Sequence, residues 1–354
     1  MKAFVFTEYG SPDALRLKEV PTPVPRDDQV LIKVHASSVN SWDWEFLSGT
    51  SVMNRLFFGL GKPKRTKQIP GSDVAGTVES VGREVTRFNP GDEVFVDLWD
   101  RRGGFAEYAS ARESAVELMP ANCSFEQAAA VPQAGVLALQ GLRTTGRIQP
   151  GQKVLINGAG GGVGTFAVQI AKLYGTEVTG VDYPQKLDMV RLLGADQVID
   201  CTQENFTRIG QAYDLILDVH GTRSMFDYRR ALSPTGTYAM VGGPMPRILE
   251  ALLLRPWEAL TPAKKRIRLV TEGPNKGLAD LRELIEAGKI VPVVDRIYPF
   301  GKVPDALRYF VEGDCKGKVV ITMDSSRVEL DPEEALAIAP LGSPCLRSLR
   351  VSKR

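Results

Sequence analysis

The chain has 354 residues, enough for about two domains of ordinary size and for a large buried core without disulfides or metal. Hydrophobic residues make up 43% and charged residues 24%, which excludes a disordered or fibrous chain. With 44 basic against 42 acidic side chains the net charge is only +2, and no apolar run approaches the roughly 18 residues that span a bilayer. Neither nucleic acid nor membrane is therefore expected as a partner.

The N-terminus, Met1 to Thr7, opens as an apolar strand without the pattern of a secretory signal, and a cytoplasmic location is expected. Pro21, Pro23 and Pro25 then keep the chain extended up to Gln29–Ala36 (QVLIKVHA), whose alternation marks a half-buried strand. Further strands are expected at 72–81 and 93–97, on either side of the turn residues Asn89-Pro90-Gly91-Asp92, and at 103–109. Short strands at this spacing suggest a closed or sandwiched β-unit.

At Ser124 the pattern changes. Ser124 with Gln127 three residues on reads as a capping box at a helix start. Strands at 153–157, 177–182, 197–200, 213–218 and 237–241 then alternate with helices at 163–174 and 185–193. Continuous apolar strands between amphipathic helices predict a doubly wound parallel sheet, an α/β unit. A β-type pattern returns from Tyr298 to Met323. The expected division is a β-rich unit at 1–122 completed by 298–323, an α/β unit at 123–297, and a loosely ordered tail at 324–354, acidic and then basic.

The segment Asn157-Gly158-Ala159-Gly160-Gly161-Gly162-Val163-Gly164 joins a strand to a helix, and the next strand ends in Asp182. A strand, a glycine turn, a helix and an acid about 20 residues on form the context of a dinucleotide site. Here Asp182 stands eighteen positions after Gly164. Gly161 would let the main chain approach a pyrophosphate, and Gly164 would let helix and strand pack closely. The helix N-terminus would offer N–H groups and positive dipole. Ala159 stands where the first glycine of such turns is usual. Asp182 suits ribose hydroxyls and leans the expectation towards NADH over NADPH, while Lys186 could attract a 2′-phosphate; capping of the next helix is the other role open to Asp182.

Several stretches together resemble the medium-chain dehydrogenase/reductase superfamily, of the zinc-free quinone oxidoreductase type. They include Gln29–Val34, Val39-Asn40 with Asp43, Ile69–Gly76, Asn89–Asp92, Gly104–Tyr108, Gln149–Gly151, the glycine turn, Leu193–Asp196, Val241–Gly243 and Gly317–Val320. The resemblance spans Met1 to about Met323. It implies a GroES-like catalytic domain from both chain ends, a Rossmann domain between them, an active site in the cleft and a homodimer or homotetramer. It also implies that Asn40 lines the nicotinamide site and that Val219, Gly221, Gly242 and Gly243 follow strand ends on the ligand side. For Asn40 a turn role before Trp42 stands as an alternative.

In the zinc-dependent branch of this family a cysteine and a histidine stand where this chain has Asn40 and Ser72. The cysteines Cys123, Cys201, Cys315 and Cys345 form no C-x-x-C pair and read as packed thiols, and His35 and His220 read as packed or surface residues. No metal site is expected. Without a Lewis acid, hydride donation to an already electrophilic acceptor is favoured, a quinone or an α,β-unsaturated carbonyl. Tyr108 is the one phenol on a family motif that could donate a proton, with a β-core role as the alternative. Trp42 reads as core, and Trp44, Phe57 and Phe58 as core or a pocket for a flat acceptor, beside a basic run at Lys62–Arg65. Lys316 and Lys318 read as solvated charges. Glu45, Leu47 and Leu137 replace residues common in the family. An enoyl-thioester reductase and a nucleotide-binding protein with little activity are the rival functions.

Overall fold

The computed structural model describes residues 1–50, 55, 59–63, 68–99, 101–258, 264–271 and 273–324. Phe57, Phe58, Lys64, Arg65, Cys345 and the expected tail beyond Asp324 lie outside the described residues. In chain order the first strands are β1 (Lys2–Val5), β2 (Arg16–Glu19), β3 (Gln29–Ser38), β4 (Asp73–Val81), β5 (Glu93–Asp97), β6 (Tyr108–Arg112) and β7 (Glu117–Leu118). The middle of the chain supplies β8 (Lys153–Asn157), β9 (Glu177–Asp182), β10 (Gln197–Asp200), β11 (Tyr213–Asp218), β12 (Leu232–Met240) and β13 (Arg266–Leu269). β14 (Val294–Pro299) and β15 (Lys318–Thr322) follow. The helices are α1 (Ser41–Ser48), α2 (Phe125–Ala129), α3 (Pro132–Leu139), α4 (Gly162–Leu173), α5 (Pro184–Leu192), α6 (Met225–Ala231), α7 (Met245–Glu258), α8 (Leu278–Glu286) and α9 (Val303–Glu312).

The chain divides into two compact units. The first holds residues 1–133, Pro274–Glu286 and the described residues from Pro292. Its main sheet runs β14-β15-β3-β4-β5-β7, with β6 also on β3 and β1-β2 as a separate antiparallel ribbon. Every side chain of β3 from Val30 to Val34 except Lys33 is buried, and one apolar core is built from Val30, Ile32, Val34, Val74, Val78, Val94 and Val96. A second core gathers Phe4, Phe6, Phe46, Phe105, Leu307 and Ile321 from both ends of the chain.

The strand expected at 103–109 is displaced to Tyr108–Arg112. Gly104 and Phe105 instead donate their N–H groups to Gly71 and Pro70, and Glu107 donates to Lys2, so residues 104–107 are held by loops and the N-terminus. The chain rejoins the first unit at Pro274, ahead of the expected 298. Asn275 explains why: its Oδ1 accepts the Asp97 N–H at 2.8 Å and its Nδ2 donates to the Asp97 carbonyl at 2.9 Å, so an amide side chain completes the edge of β5. The left-handed φ of +63° at Asn275 suits that residue type. Likewise the first unit keeps α2, whose Ser124–Gln127 capping box forms as expected, because Glu126 accepts from the Thr322 hydroxyl on β15. The helix α9, unforeseen in the 298–323 segment, starts on a proline in its first turn.

The second unit holds Ala134–Gly273 and Ala287–Val291 among the described residues. Its six strands run β10-β9-β8-β11-β12-β13, every neighbouring pair parallel. In order of appearance within the unit this is 3-2-1-4-5-6, the doubly wound order in which ligands bind where the direction of winding reverses. That reversal lies between β8 and β11, so the residues following Asn157 and Asp218 stand at the switch point. The buried cores of both units carry the apolar side chains that the sequence pattern marks as strand interiors.

Candidate functional site

In the second unit the glycine turn is built as a tight corner. Gly158 has φ +89°, and it and Ala159 both donate to the Val181 carbonyl, which fastens the turn to β9. Ala159 is fully buried, and its methyl faces Gly180, which fits a small residue and nothing larger. At Gly164 a built Cβ would stand 2.0 Å from the Gly158 carbonyl oxygen, so the close packing expected of this glycine is present. Gly161 is different: its nearest neighbour to a built Cβ is 3.6 Å away.

The N–H groups of the turn sort into two sets. Those of Gly158, Ala159, Gly160 and Gly161 already donate within the protein. Those of Gly162, Val163 and Gly164 open α4, where the first turn has no intrahelical acceptor. Any anion cradle therefore falls on Gly162–Gly164, and Ala159, Gly160 and Gly161 shape the turn. Of the six residues expected at the phosphate site, Ala159–Gly164, the last three carry the helix N-terminal N–H groups.

Asp182 closes β9 but points inward. Its Oδ2 accepts the Gly160 N–H at 2.7 Å, its Oδ1 accepts the Tyr183 N–H at 2.8 Å, and Lys186 Nζ lies 3.9 Å from Oδ1. Asp182 and Lys186 are only 3% and 5% exposed, so neither stands open at the strand tip as the sequence suggested. Asp182 also does not cap α5, whose N-cap is Tyr183. At the end of β11, Asp218 Oδ1 accepts from Asn157 Nδ2 and from the His220 and Gly221 N–H groups. Tyr238 donates its hydroxyl to Asp218 Oδ2 at 2.6 Å. Val219 packs near Gly158, and Gly221 lies against Gly242 and Gly243, so the residues expected on the ligand side do gather at the carboxyl edge of the sheet.

The first unit holds a buried polar cluster that sequence reasoning missed. Asn40, at the N-cap of α1, donates through Nδ2 to Ser72 Oγ at 3.1 Å and to Asp73 Oδ2 at 2.9 Å. Lys318 donates Nζ to Asn40 Oδ1 and to the Val39 carbonyl, and its Nζ stands 3.4 Å from Asp73 Oδ2. Asp73 Oδ2 also accepts from Ser38, and its Oδ1 accepts from the Gln133 N–H. Lys318 is 3% exposed, which corrects its reading as a solvated charge. Both Nδ2 and Oδ1 of Asn40 bond within the protein, so the side chain links the segments around β3, β4 and β15. The signal that could have found this cluster is a lysine and an aspartate, Lys318 and Asp73, at the starts of otherwise apolar strands.

Beside it lie Asp43, Asp97 and Arg102. Asp43 is fully buried; it accepts the Asn40 and Gly71 N–H groups, and Arg102 is 3.6 Å away. Arg102 also lies over the Phe46 ring at 4.5 Å. Burial pushes the Asp43 carboxyl up to about 6, against the pull of Arg102, and burial raises Asp97 as well, helped by Asp73 and Asp43. The sign follows from linkage. A carboxyl whose folded value lies above its ordinary 3.8 binds a proton more readily when folded, so its contribution is full below about pH 4 and fades as pH rises towards 6. The change approaches about 3 kcal/mol. Urea unfolding of Asp43→Asn is expected to show a flatter decline between about pH 4 and 6 than the wild type. A variant with an unchanged slope would show that Asp43 does not titrate there.

Tyr108 pairs with Lys33 in the β3-β6 ladder, on the face where Lys33 is exposed. The side chain of Asn40 instead joins Ser72, Asp73 and Lys318, and Tyr108 is not among its hydrogen-bond partners. Trp42 is half-buried, not core, and meets the 39% exposed Trp99 edge to face at 4.7 Å. Leu47 is fully buried in the aromatic core, which accounts for an aliphatic residue there. His35 stacks on Phe125 at 4.3 Å and shares a hydrogen bond with Thr77, as a packed histidine does. Cys315 is buried in the core, and burial pushes the Cys123 thiol up to about 12, far from a reactive thiolate.

The residues at the family's metal-binding positions can be tested for fit. Asn40 and Ser72 offer an amide and a hydroxyl bonded to each other, with the Lys318 nitrogen against the amide oxygen. Zinc takes thiolate, imidazole or carboxylate donors, and a neighbouring ammonium opposes it, so this set does not fit the metal. Among the described residues no group of three or more histidines, cysteines, aspartates or glutamates could hold a metal ion, and no helix is long and apolar enough to cross a membrane.

Comparison with known proteins agrees with this architecture. Residues 26–141 match the alcohol dehydrogenase GroES-like domain family, and residues 193–321 match the zinc-binding dehydrogenase family, a stretch that includes neither Asn40 nor Ser72. The chain is 34% identical over 333 residues to the 2-methylene-furan-3-one reductase of Solanum lycopersicum, covering 91% of this chain and 79% of that protein. It is also 34% identical over 334 residues to the NADPH-dependent alkenal/one oxidoreductase, chloroplastic, of Arabidopsis thaliana, with the same coverage. The solved quinone oxidoreductase from Coxiella burnetii superposes with a TM-score of 0.80 at 29% identity, covering 91% of this chain and 99% of that one. With a GroES-like unit, a doubly wound nucleotide-type unit and relatives at this identity over nine-tenths of its length, the chain belongs to the medium-chain dehydrogenase/reductase family, among its quinone oxidoreductase-like members.

Proposed function

We propose that this chain is an NAD(P)H-dependent oxidoreductase that donates hydride, without a bound metal, to a quinone or an α,β-unsaturated carbonyl. The observation that carries the reading is the corner between β8 and α4 at the winding reversal of the parallel sheet. There the N–H groups of Gly162, Val163 and Gly164 suit a pyrophosphate, and Val219, Gly242 and Gly243 supply the adjoining sheet edge. A reduced nicotinamide bound there supplies the hydride, and the chain's part is to hold and orient it. The absence of zinc-type donors at Asn40 and Ser72 favours an acceptor that is electrophilic without a Lewis acid. The relatives support the acceptor class, since they are named a 2-methylene-furan-3-one reductase, an NADPH-dependent alkenal/one oxidoreductase and a quinone oxidoreductase. Both coenzymes are named because the Asp182 carboxylate, on which an NADH preference would rest, is turned onto the protein's own turn. A homodimer and a cytoplasmic site of action complete the proposal, the first open to analytical sedimentation.

The test is calorimetric titration with NADH and NADPH, followed by stopped-flow oxidation of the bound coenzyme against a panel of quinones and enones. Micromolar binding and turnover of at least one acceptor are expected. Uptake of neither nucleotide overturns the proposal. Tight uptake without hydride transfer to any acceptor replaces it with a nucleotide-binding role.

A further inference from the structure

We infer that Asp182 is a positioning residue that clamps the glycine turn, and that through its pairing with Lys186 the chain accepts NADH and 2′-phosphorylated NADPH with similar affinity. The inference rests on the nicotinamide reading above. An acid that selects NADH must direct its oxygens at the vicinal hydroxyls of the adenosine ribose. Here Oδ2 is occupied by the Gly160 N–H at 2.7 Å and Oδ1 by the Tyr183 N–H at 2.8 Å. The side chain is 1% exposed and that of Lys186 7%. Swinging the carboxylate out would strand the buried Gly160 donor, an unfavourable exchange.

The stem of Lys186 seals the arrangement. A built Cβ at Gly160 would stand 2.7 Å from Lys186 Cβ and 3.0 Å from its Cδ, so the lysine lies directly across the turn. Its Nζ, 3.9 Å from Asp182 Oδ1, balances the carboxylate charge. A paired carboxylate that is 1% exposed and turned onto the glycine turn presents little negative field to a 2′-phosphate and little oxygen surface to a 2′-hydroxyl. Asp218 does the same work at the end of β11, where its Oδ1 accepts from the His220 and Gly221 N–H groups. Asp182 and Asp218 therefore brace turns of their own chain, as does Asp200 at the end of β10, whose Oδ1 accepts the Thr202 N–H.

The experiment compares wild type, Asp182→Asn and Asp182→Ala by calorimetric titration with each coenzyme and by thermal unfolding of the free protein. The wild-type dissociation constants are expected to lie within about threefold of each other. Asp182→Ala should weaken both coenzymes in parallel and lower the free protein's Tm by several degrees, and Asp182→Asn, which keeps one acceptor for Gly160, should recover part of both losses. A wild type selective by about tenfold or more, or an alanine variant that loses NADH alone or gains NADPH, overturns the inference. An unchanged Tm overturns the clamp. If the wild type takes up neither coenzyme, the proposed function fails separately, the coenzyme half of the inference falls with it, and the clamp is decided by the unfolding data alone.

Discussion

Gly164→Ala is expected to abolish coenzyme uptake and to destabilise the second unit towards the upper end of the 1–3 kcal/mol typical of overpacking, about 3 kcal/mol. The added methyl would stand 2.0 Å from the Gly158 carbonyl oxygen and 2.6 Å from Ala159 Cα. Both are backbone atoms of the turn itself, and Gly158 and Ala159 are tied to the Val181 carbonyl, so neither can retreat without opening the corner. The same opening would carry the N–H groups of Gly162 and Val163 away from the geometry a pyrophosphate needs. Gly161→Ala is the control. That residue has φ −87° and open space to 3.6 Å, so a methyl should be tolerated within about 0.5 kcal/mol. Urea unfolding and calorimetric titration of the two variants check the pair. Coenzyme binding by Gly164→Ala at wild-type strength would place the nucleotide elsewhere.

Lys318→Met is expected to lower stability by about 3–5 kcal/mol, the range found when one partner of a buried ion pair is removed. The substitution leaves the Asn40 and Val39 carbonyl oxygens without their donor and Asp73 without its cation, all in a region closed to water. Methionine fills nearly the same volume, so the loss reports polarity and not a cavity. Adding Asp73→Asn removes the stranded charge and should restore part of the loss, a coupling that a double-mutant cycle reads from urea midpoints. A single variant within about 1 kcal/mol of wild type would show that the cluster contributes little to the fold.

Elements with a local cause were legible before the structure. The alternation of 29–36, the apolar runs at 153–157 and 213–218, and the Ser124–Gln127 capping box each state their conformation within a few residues, and each forms. The glycine turn was legible for the same reason, because at Gly164 the demand for the smallest residue arises six residues away, at Gly158. Helix α9 was overlooked although Pro304 and Asp305 in its first turn are start signals, since the strands on either side dominated the pattern. The strand expected at 103–109 begins only at Tyr108, because residues 104–107 bond in turn to residues 70–71, to β1 and to Val34 without forming one continuous ladder.

The side chains that decide the chemistry were a different matter. Residue types and spacing determined the kind of fold, the position of the glycine turn and the unsuitability of Asn40 and Ser72 as zinc ligands. Only tertiary structure decided that Asp182 faces Gly160, that Tyr108 pairs with Lys33, and that Lys318 is buried against Asp73, 245 residues distant. The physical reason is that periodicity and glycine content act through neighbouring backbone torsions, which a sequence displays directly. The partner of a buried charge is chosen instead by strand register and by the need to satisfy every donor and acceptor removed from water, and both exist only once distant segments have met.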